Sequence, residues 1–255
     1  MRSSHISFEV RDSVGFIGID RAEKRNALKQ DMFETIGEFV NIAEQECRAG
    51  VIFSHGPNFS AGLDLGEHRE RTPLDTFAAS RRQGVIMDKI EKGRIPWLAA
   101  LSGAVIGAGF ELAAATHIRV ADETTYLALP EGRRGIFVGG GGSVRVSRLI
   151  GVARMTDMML TARVVQADDA VAMGAAQYMV PAGDSLEKAT ELAHAIAENS
   201  SVSNEAIVAA LPRIRDMGHD DGLYLESAIA SLVQSSPGAT DGLEDFLAKR
   251  ARPLQ

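Results

Sequence analysis

Apolar and polar positions alternate at the start of the chain. Ile6, Phe8 and Val10 mark one side of a strand, Asp12-Ser13 turns the chain, and an apolar run resumes from Val14 to Ile19. That pattern predicts a β-hairpin. The period then changes. Met32, Phe33, Ile36, Phe39, Val40 and Ala43 recur at helical spacing and predict an amphipathic helix over residues 30–47. Val51-Ile52-Phe53 reads as a short buried strand before the loop Gly56-Pro57-Asn58. Residues 74–91 are helical in pattern but rich in charge, so this helix is expected to be exposed and mobile. A strand from Trp97 to Leu101 breaks at Ser102-Gly103, a helix follows over 108–115, and further strands lie at Ile118-Arg119-Val120 and from Tyr126 to Leu129. This order predicts an α/β fold of stacked units with helices packed outside.

Past Pro181 the strand signals fade. Residues 185–198, 202–211, 219–234 and 240–250 all carry helical periodicity, with turns at Gly218-His219 and Ser235-Ser236-Pro237-Gly238. The expected organisation is a core over residues 1–195 and a helical region over 196–255, without a clear linker. Such a tail can pack on another subunit or on its own core, and the pattern leaves both open.

Composition narrows the class. A chain of 255 residues can bury a large core, and 45% hydrophobic content with 24% charged residues fits a globular α/β protein. A net charge of −7 argues against nucleic acid as the main partner. The single Cys47 excludes an internal disulfide and a multi-cysteine metal site. The six histidines show no metal-ligand spacing, so no metal is expected, and His55 and His117 read as structural. Met1-Arg2-Ser3-Ser4-His5 leads into the first strand without a signal-peptide apolar region, and no apolar run approaches the roughly 18 residues of a membrane span. A cytoplasmic enzyme without a membrane partner is the expectation.

Two carboxylates stand out. Glu111 interrupts the small and apolar run Ile106-Gly107-Ala108-Gly109-Phe110-Glu111-Leu112-Ala113, and Glu131 interrupts Leu127-Ala128-Leu129-Pro130-Glu131-Gly132. A buried carboxylate must protonate, pair or do chemistry. The bland alternative pairs Glu111 with Arg119, Arg133 or Arg134; two such acids favour acid–base catalysis. Gly103 to Gly109 precedes a helix, and N–H groups at a helix start can stabilise an oxyanion. A dinucleotide fingerprint fails, since Leu112 stands where the third glycine belongs. Ser60-Ala61-Gly62-Leu63-Asp64-Leu65 could bring backbone close to a ligand or be an ordinary strand-to-helix turn. Gly139-Gly140-Gly141-Gly142-Ser143 could hold an anion or let a helix pack closely. No Ser–His–Asp set assembles around Ser60 or Ser102.

Together these segments resemble the crotonase (enoyl-CoA hydratase/isomerase) superfamily over most of the chain. The motifs are Arg21 to Leu28, Phe59-Ser60-Ala61-Gly62-Leu63-Asp64-Leu65, Gly103 through Ala113, Pro130 through Arg145, and the closing stretch Asp241 to Arg250. The resemblance implies a spiral of repeated β-β-α units with a C-terminal helical oligomerisation region, assembled as a trimer or dimer of trimers. It implies an oxyanion hole from the backbone N–H groups of Leu63 and Ala108. It makes Glu111 and Glu131 the catalytic pair of a hydratase that adds water to a 2-enoyl-CoA. Glu131 would supply the C2 proton and Glu111 would help position and activate the water. Lys24, Arg25, Ala27, Ala61, Gly62, Asp64, Leu65 and Gly107 would line the coenzyme A and acyl portions, with Gly139 beside the water. No cofactor is implied, because coenzyme A enters as part of the substrate. The alternatives are a Δ3-Δ2-enoyl-CoA isomerase and a protein that binds an acyl-CoA without hydrating it. Ala22, Val138 and Val144 depart from the family pattern, as do Gly132-Arg133-Arg134 and Leu127, and these positions bear on acyl preference.

Overall fold

A computed structural model describes residues 5–68 and 72–236, together with positions 238, 247 and 248. The hairpin is β1 (Ile6–Arg11) and β2 (Val14–Ile19), antiparallel, with Phe8 opposite Ile17. Helix α1 (Gln30–Glu46) leads to β3 (Ala49–Ser54), and α2 (Pro73–Lys92) to β4 (Trp97–Leu101). From here the chain repeats a strand–strand–helix unit. β4 is followed by β5 (Ala104–Ile106) and α3 (Ala108–Ala115); then come β6 (Ile118–Asp122), β7 (Tyr126–Ala128) and α4 (Glu131–Arg134). Helices α5 (Gly142–Ile150) and α6 (Val152–Thr161) precede β8 (Val165–Gln166), α7 (Ala167–Ala172) and β9 (Tyr178–Val180). Helices α8 (Ser185–Ala197), α9 (Ser201–Arg215) and α10 (His219–Gln234) follow.

The units wind between two sheets. The larger has the order β1-β2-β3-β4-β6-β9, parallel apart from its first pair; the smaller has the order β5-β7-β8. The expected β-β-α spiral is therefore the observed one. The continuous apolar run of β2 has a simple cause, since both faces of the large sheet are covered. Ile17 and Ile19 join the core that includes Met32, Phe33, Ile36 and Val40 of α1. Val14 and Phe16 face the other way, into a cluster closed by Ala189, Ala193 and Ala197 of α8. Burying these faces contributes about 25 cal/mol per Å² of apolar surface.

Helix α8 seals the second sheet face and belongs with the core expected over residues 1–195, which ends two residues before the helix does. One expectation changes. The helix at 74–91 is not simply exposed. Ala79, Gln83, Ile86, Met87 and Ile90 form a buried stripe of α2, whose charges crowd the opposite face. Its start is built by a capping box in which Asp75 N–H donates to Thr72 Oγ1 at 3.2 Å and Thr72 N–H donates to Asp75 Oδ2 at 3.1 Å. Most of the helix expected over 240–250 lies outside the described residues.

The β3–β4 pairing explains a glycine that strand propensity would reject. Gly50 lies opposite Trp97, and a Cβ there would come within 2.3 Å of the fully buried indole. Gly50→Ala is expected to destabilise the protein by about 1–3 kcal/mol through overpacking, measured as a lower midpoint in urea unfolding.

Candidate active site

Register places the two glutamates. β5 and β7 pair in parallel with Ile106 opposite Ala128, and Gly107 N–H donates to Ala128 O at 3.0 Å. Glu111 lies on α3, five residues past Ile106, and Glu131 opens α4, three residues past Ala128. Adjacent repeats thus bring both carboxylates to one end of the small sheet. A Cβ on Gly107 would lie 2.8 Å from Glu131 Oε1, so the carboxylate sits directly over the start of α3. Glu111 and Glu131 are 4% and 5% exposed. Both line a cavity of about 470 Å³, together with Leu63, Leu65, Gly107, Ala108 and Gly139.

The backbone around Leu63 is fixed from one side. Leu28 N–H donates to Gly62 O and Asp64 N–H donates to Leu28 O, both at 2.8 Å, which turns the Leu63 N–H away from that bridge. Ala108 is the first residue of α3, so its N–H has no acceptor within the helix. Neither N–H finds an acceptor among the described residues. Gly62 makes their approach possible. Its φ is +93°, and a Cβ would press to 2.8 Å of Ile106 O, close beside Ala108 N.

Residues 9–254 match the sequence model of the enoyl-CoA hydratase/isomerase family. The chain belongs to that family. Enoyl-CoA hydratase EchA19 of Mycobacterium tuberculosis is 30% identical over 252 residues, covering 97% of this chain and 95% of the relative. A crystal structure of a candidate enoyl-CoA hydratase from Rhodopseudomonas palustris CGA009 superposes with a TM-score of 0.93 at 45% identity, covering 97% of this chain and 96% of that one. An enoyl-CoA hydratase from Bacillus anthracis superposes at 0.91 with 28% identity, covering 98% of each chain. The protein is therefore an enzyme with the crotonase fold.

Within this family member the two carboxylates have different surroundings. Glu111 Oε1 accepts from Gly140 N–H and Gly142 N–H, each at 2.8 Å. Burial pushes the Glu111 carboxyl up, while these donors and the charge of Arg145 pull it back. Glu131 Oε2 is buried without a hydrogen-bond partner among the described residues. Burial first, and the nearby Glu111 charge, push Glu131 up to about 7, against a pull from Arg134. None of the three arginines weighed as a partner forms an ion pair with Glu111: Arg119 instead donates to Ala175 O at 2.7 Å and to Thr116 O.

The donors to Glu111 are held by a residue whose role sequence reasoning missed. Arg145 is buried and donates to Gly140 O at 3.1 Å, to Glu91 Oε2 at 2.7 Å and to Asp88 Oδ1. It ties the glycine turn to α2. Ser80 of α2 adds a second tie, donating to Gly139 O at 2.6 Å. The signal was Arg145 at the end of the glycine motif, but its acidic partners lie more than fifty residues earlier.

Other predicted residues fall beside the cavity rather than on it. Lys24, Arg25, Ala27, Ala61, Gly62 and Asp64 are absent from its lining. They belong to two joined loops, where Ala61 N–H donates to Arg25 O at 2.9 Å. Asp64 supports these loops through its side chain, accepting from Arg21 Nη1 at 2.7 Å and Gly66 N–H at 3.0 Å. The hydrogen bond from Arg21 holds its carboxyl below the usual range. Ser60 is fully buried and donates to Asn26 O at 2.8 Å, a structural task. His117 is structural as expected: Nδ1 accepts from Trp97 N–H at 2.9 Å, Nε2 faces Glu91 O at 3.2 Å, and burial lowers it to about 4.

The raised Glu131 has a stability consequence. Between the ordinary value of 4.5 and about 7, the folded state keeps a proton that the unfolded chain releases. The stability it contributes is complete below that window and lost as pH rises through it. Glu131→Gln should remove this slope and stabilise the protein at pH 8 by on the order of 3 kcal/mol relative to wild type. Urea unfolding at pH 5 and pH 8 measures the difference; an unchanged slope in the variant contradicts the assignment.

Proposed function

We propose that this enzyme adds water across the 2,3 double bond of a 2-enoyl-CoA to give a 3-hydroxyacyl-CoA. The observation that carries the reading is the meeting of two buried carboxylates and two unengaged N–H groups at one cavity. The thioester oxygen accepts from Leu63 N–H and Ala108 N–H, which stabilise the enolate charge that develops during addition. The dipole of α3 adds to this, since Ala108 is at its positive end. Lys24, Arg25, Ala27 and the backbone from Ala61 to Leu65 hold the coenzyme A portion, and Gly139 borders the water.

The pair of acids then has to share one proton. Two N–H donors favour the anion of Glu111, whereas the unpartnered Oε2 favours neutral Glu131. Glu111 orients the water and takes its proton as oxygen bonds to C3. Glu131 delivers its proton to C2. The product leaves the proton on the other member of the pair, and exchange with solvent resets it. The titration belongs to the coupled pair. The steps call for no metal or redox cofactor.

Apolar side chains exposed on the later helices, including Leu211 at 62%, Tyr224 at 80% and Leu232 at 67%, support assembly into trimers or dimers of trimers. No described helix is long and apolar enough to cross a membrane.

Glu111→Gln separates hydration from Δ3-Δ2 isomerisation. It should lower the hydration rate by about 10²–10⁴-fold, followed as loss of crotonyl-CoA absorbance. An isomerase that shuttles its proton on Glu131 would keep most of its rate with a 3-enoyl-CoA. No wild-type turnover across short, long, branched and aromatic 2-enoyl-CoAs would overturn the hydratase reading.

A further inference from the structure

Arg134 is the one lysine or arginine among the described residues lining the catalytic cavity. It lies three residues after Glu131 on α4. Residues at that spacing share a helix face, so both project toward the same space. Arg133, one position off, is not part of the lining. The turn is anchored behind these side chains: Gly132 packs so tightly on Met159 O that a Cβ would come within 2.5 Å, and Ile136 N–H donates to Glu131 O at 3.1 Å. These contacts fix the backbone of the turn, and the Arg134 side chain is exposed where it borders the cavity.

Arg134 also lacks an ion-pair partner among the described residues, whereas Arg145 has two and Arg148 and Arg163 have one each. The cavity lining is otherwise largely apolar, with Ile136, Phe137, Val138 and Ala79, while Thr76 and Ser80 add hydroxyls and Gln83 a buried amide. An acyl chain whose C2 lies at Glu131 would extend into the cavity that these residues and Arg134 line. An alkyl chain there would cover the guanidinium without satisfying it, at a desolvation cost. A carboxylate at the end of the chain would instead take two parallel N–H donors from the planar guanidinium.

Resting on the acyl-CoA reading above, we infer that the cavity selects acyl chains ending in a carboxylate, with Arg134 as the specificity-determining residue. The substrate class is then the coenzyme A monothioester of an unsaturated dicarboxylic acid.

Titration calorimetry with saturated, unreactive acyl-CoAs tests this on the intact enzyme. Succinyl-, glutaryl- and adipoyl-CoA are each compared with butyryl-, valeryl- and hexanoyl-CoA of the same chain length. At the best length the dicarboxylic chain should bind about tenfold more tightly or better, the scale of a charge-assisted hydrogen bond. Arg134→Met should bring that ratio close to one, and Arg134→Lys should keep part of it. A wild-type ratio below this at every length overturns the inference. So does an equal weakening of both series in Arg134→Met, which would place Arg134 on the coenzyme A portion. A ratio that survives in Arg134→Met overturns it as well. Binding of saturated chains needs no turnover. An intact preference without hydration of any 2-enoyl-CoA would therefore reject the hydratase reading alone, and turnover without the preference would reject this inference alone.

Discussion

The hydrogen bonds from Gly140 and Gly142 to Glu111 are the constraint on which the site depends. A carboxylate in a helix otherwise made of small and apolar residues loses most of its solvation when the helix is buried. Here the loss is met by peptide N–H groups from the start of α5. Those donors need no titration and no long flexible side chain, so the carboxyl is held at a fixed place. The arrangement also determines what may stand nearby, since a Cβ on Gly142 would come within 2.9 Å of Glu111 Oε1.

That constraint reaches outward through Arg145. The glycine turn has little side-chain mass of its own to fix it, and Arg145 supplies the missing hold by gripping Gly140 O and the acids of α2. Helix α2 thus does two jobs. Its apolar stripe packs into the core, and its Thr76, Phe77, Ala79, Ser80 and Gln83 form a wall of the cavity. Packing, carboxylate position and cavity shape are consequently coupled, and a shift of α2 would move the donors to Glu111 as well as its own part of the cavity lining.

Much of this was legible from local patterns. The period-two hairpin, the apolar stripe of α1, the strand from Trp97 to Leu101 and the short helix carrying Glu111 all follow from spacing, because each element contacts its surroundings through a regular face. The glycine run after Glu131 was also visible, although its task was open between anion binding and close packing. The structure shows close packing together with two N–H groups that donate to the protein's own Glu111 carboxyl. The reading of α2 as merely exposed went astray because its high charge masked a narrow buried stripe. Helix α8 covers a sheet face whose strands come from far earlier in the chain, a pairing that spacing alone does not record.

By itself, then, the sequence determined the elements and the chemical types available: two acids in apolar settings, glycines at helix starts, and an arginine beside one acid. These are properties of residues and their near neighbours, and spacing along the chain records them. The tertiary structure decided which of them meet. Only the parallel register of β5 and β7 brings Glu111 and Glu131 to one cavity, only the bridge between Leu28 and Leu63 turns the Leu63 N–H outward, and only the short turn of α4 separates Arg134 from Arg133. Those outcomes depend on pairings between distant segments, whose geometry is set by the packing of the whole core rather than by any local stretch.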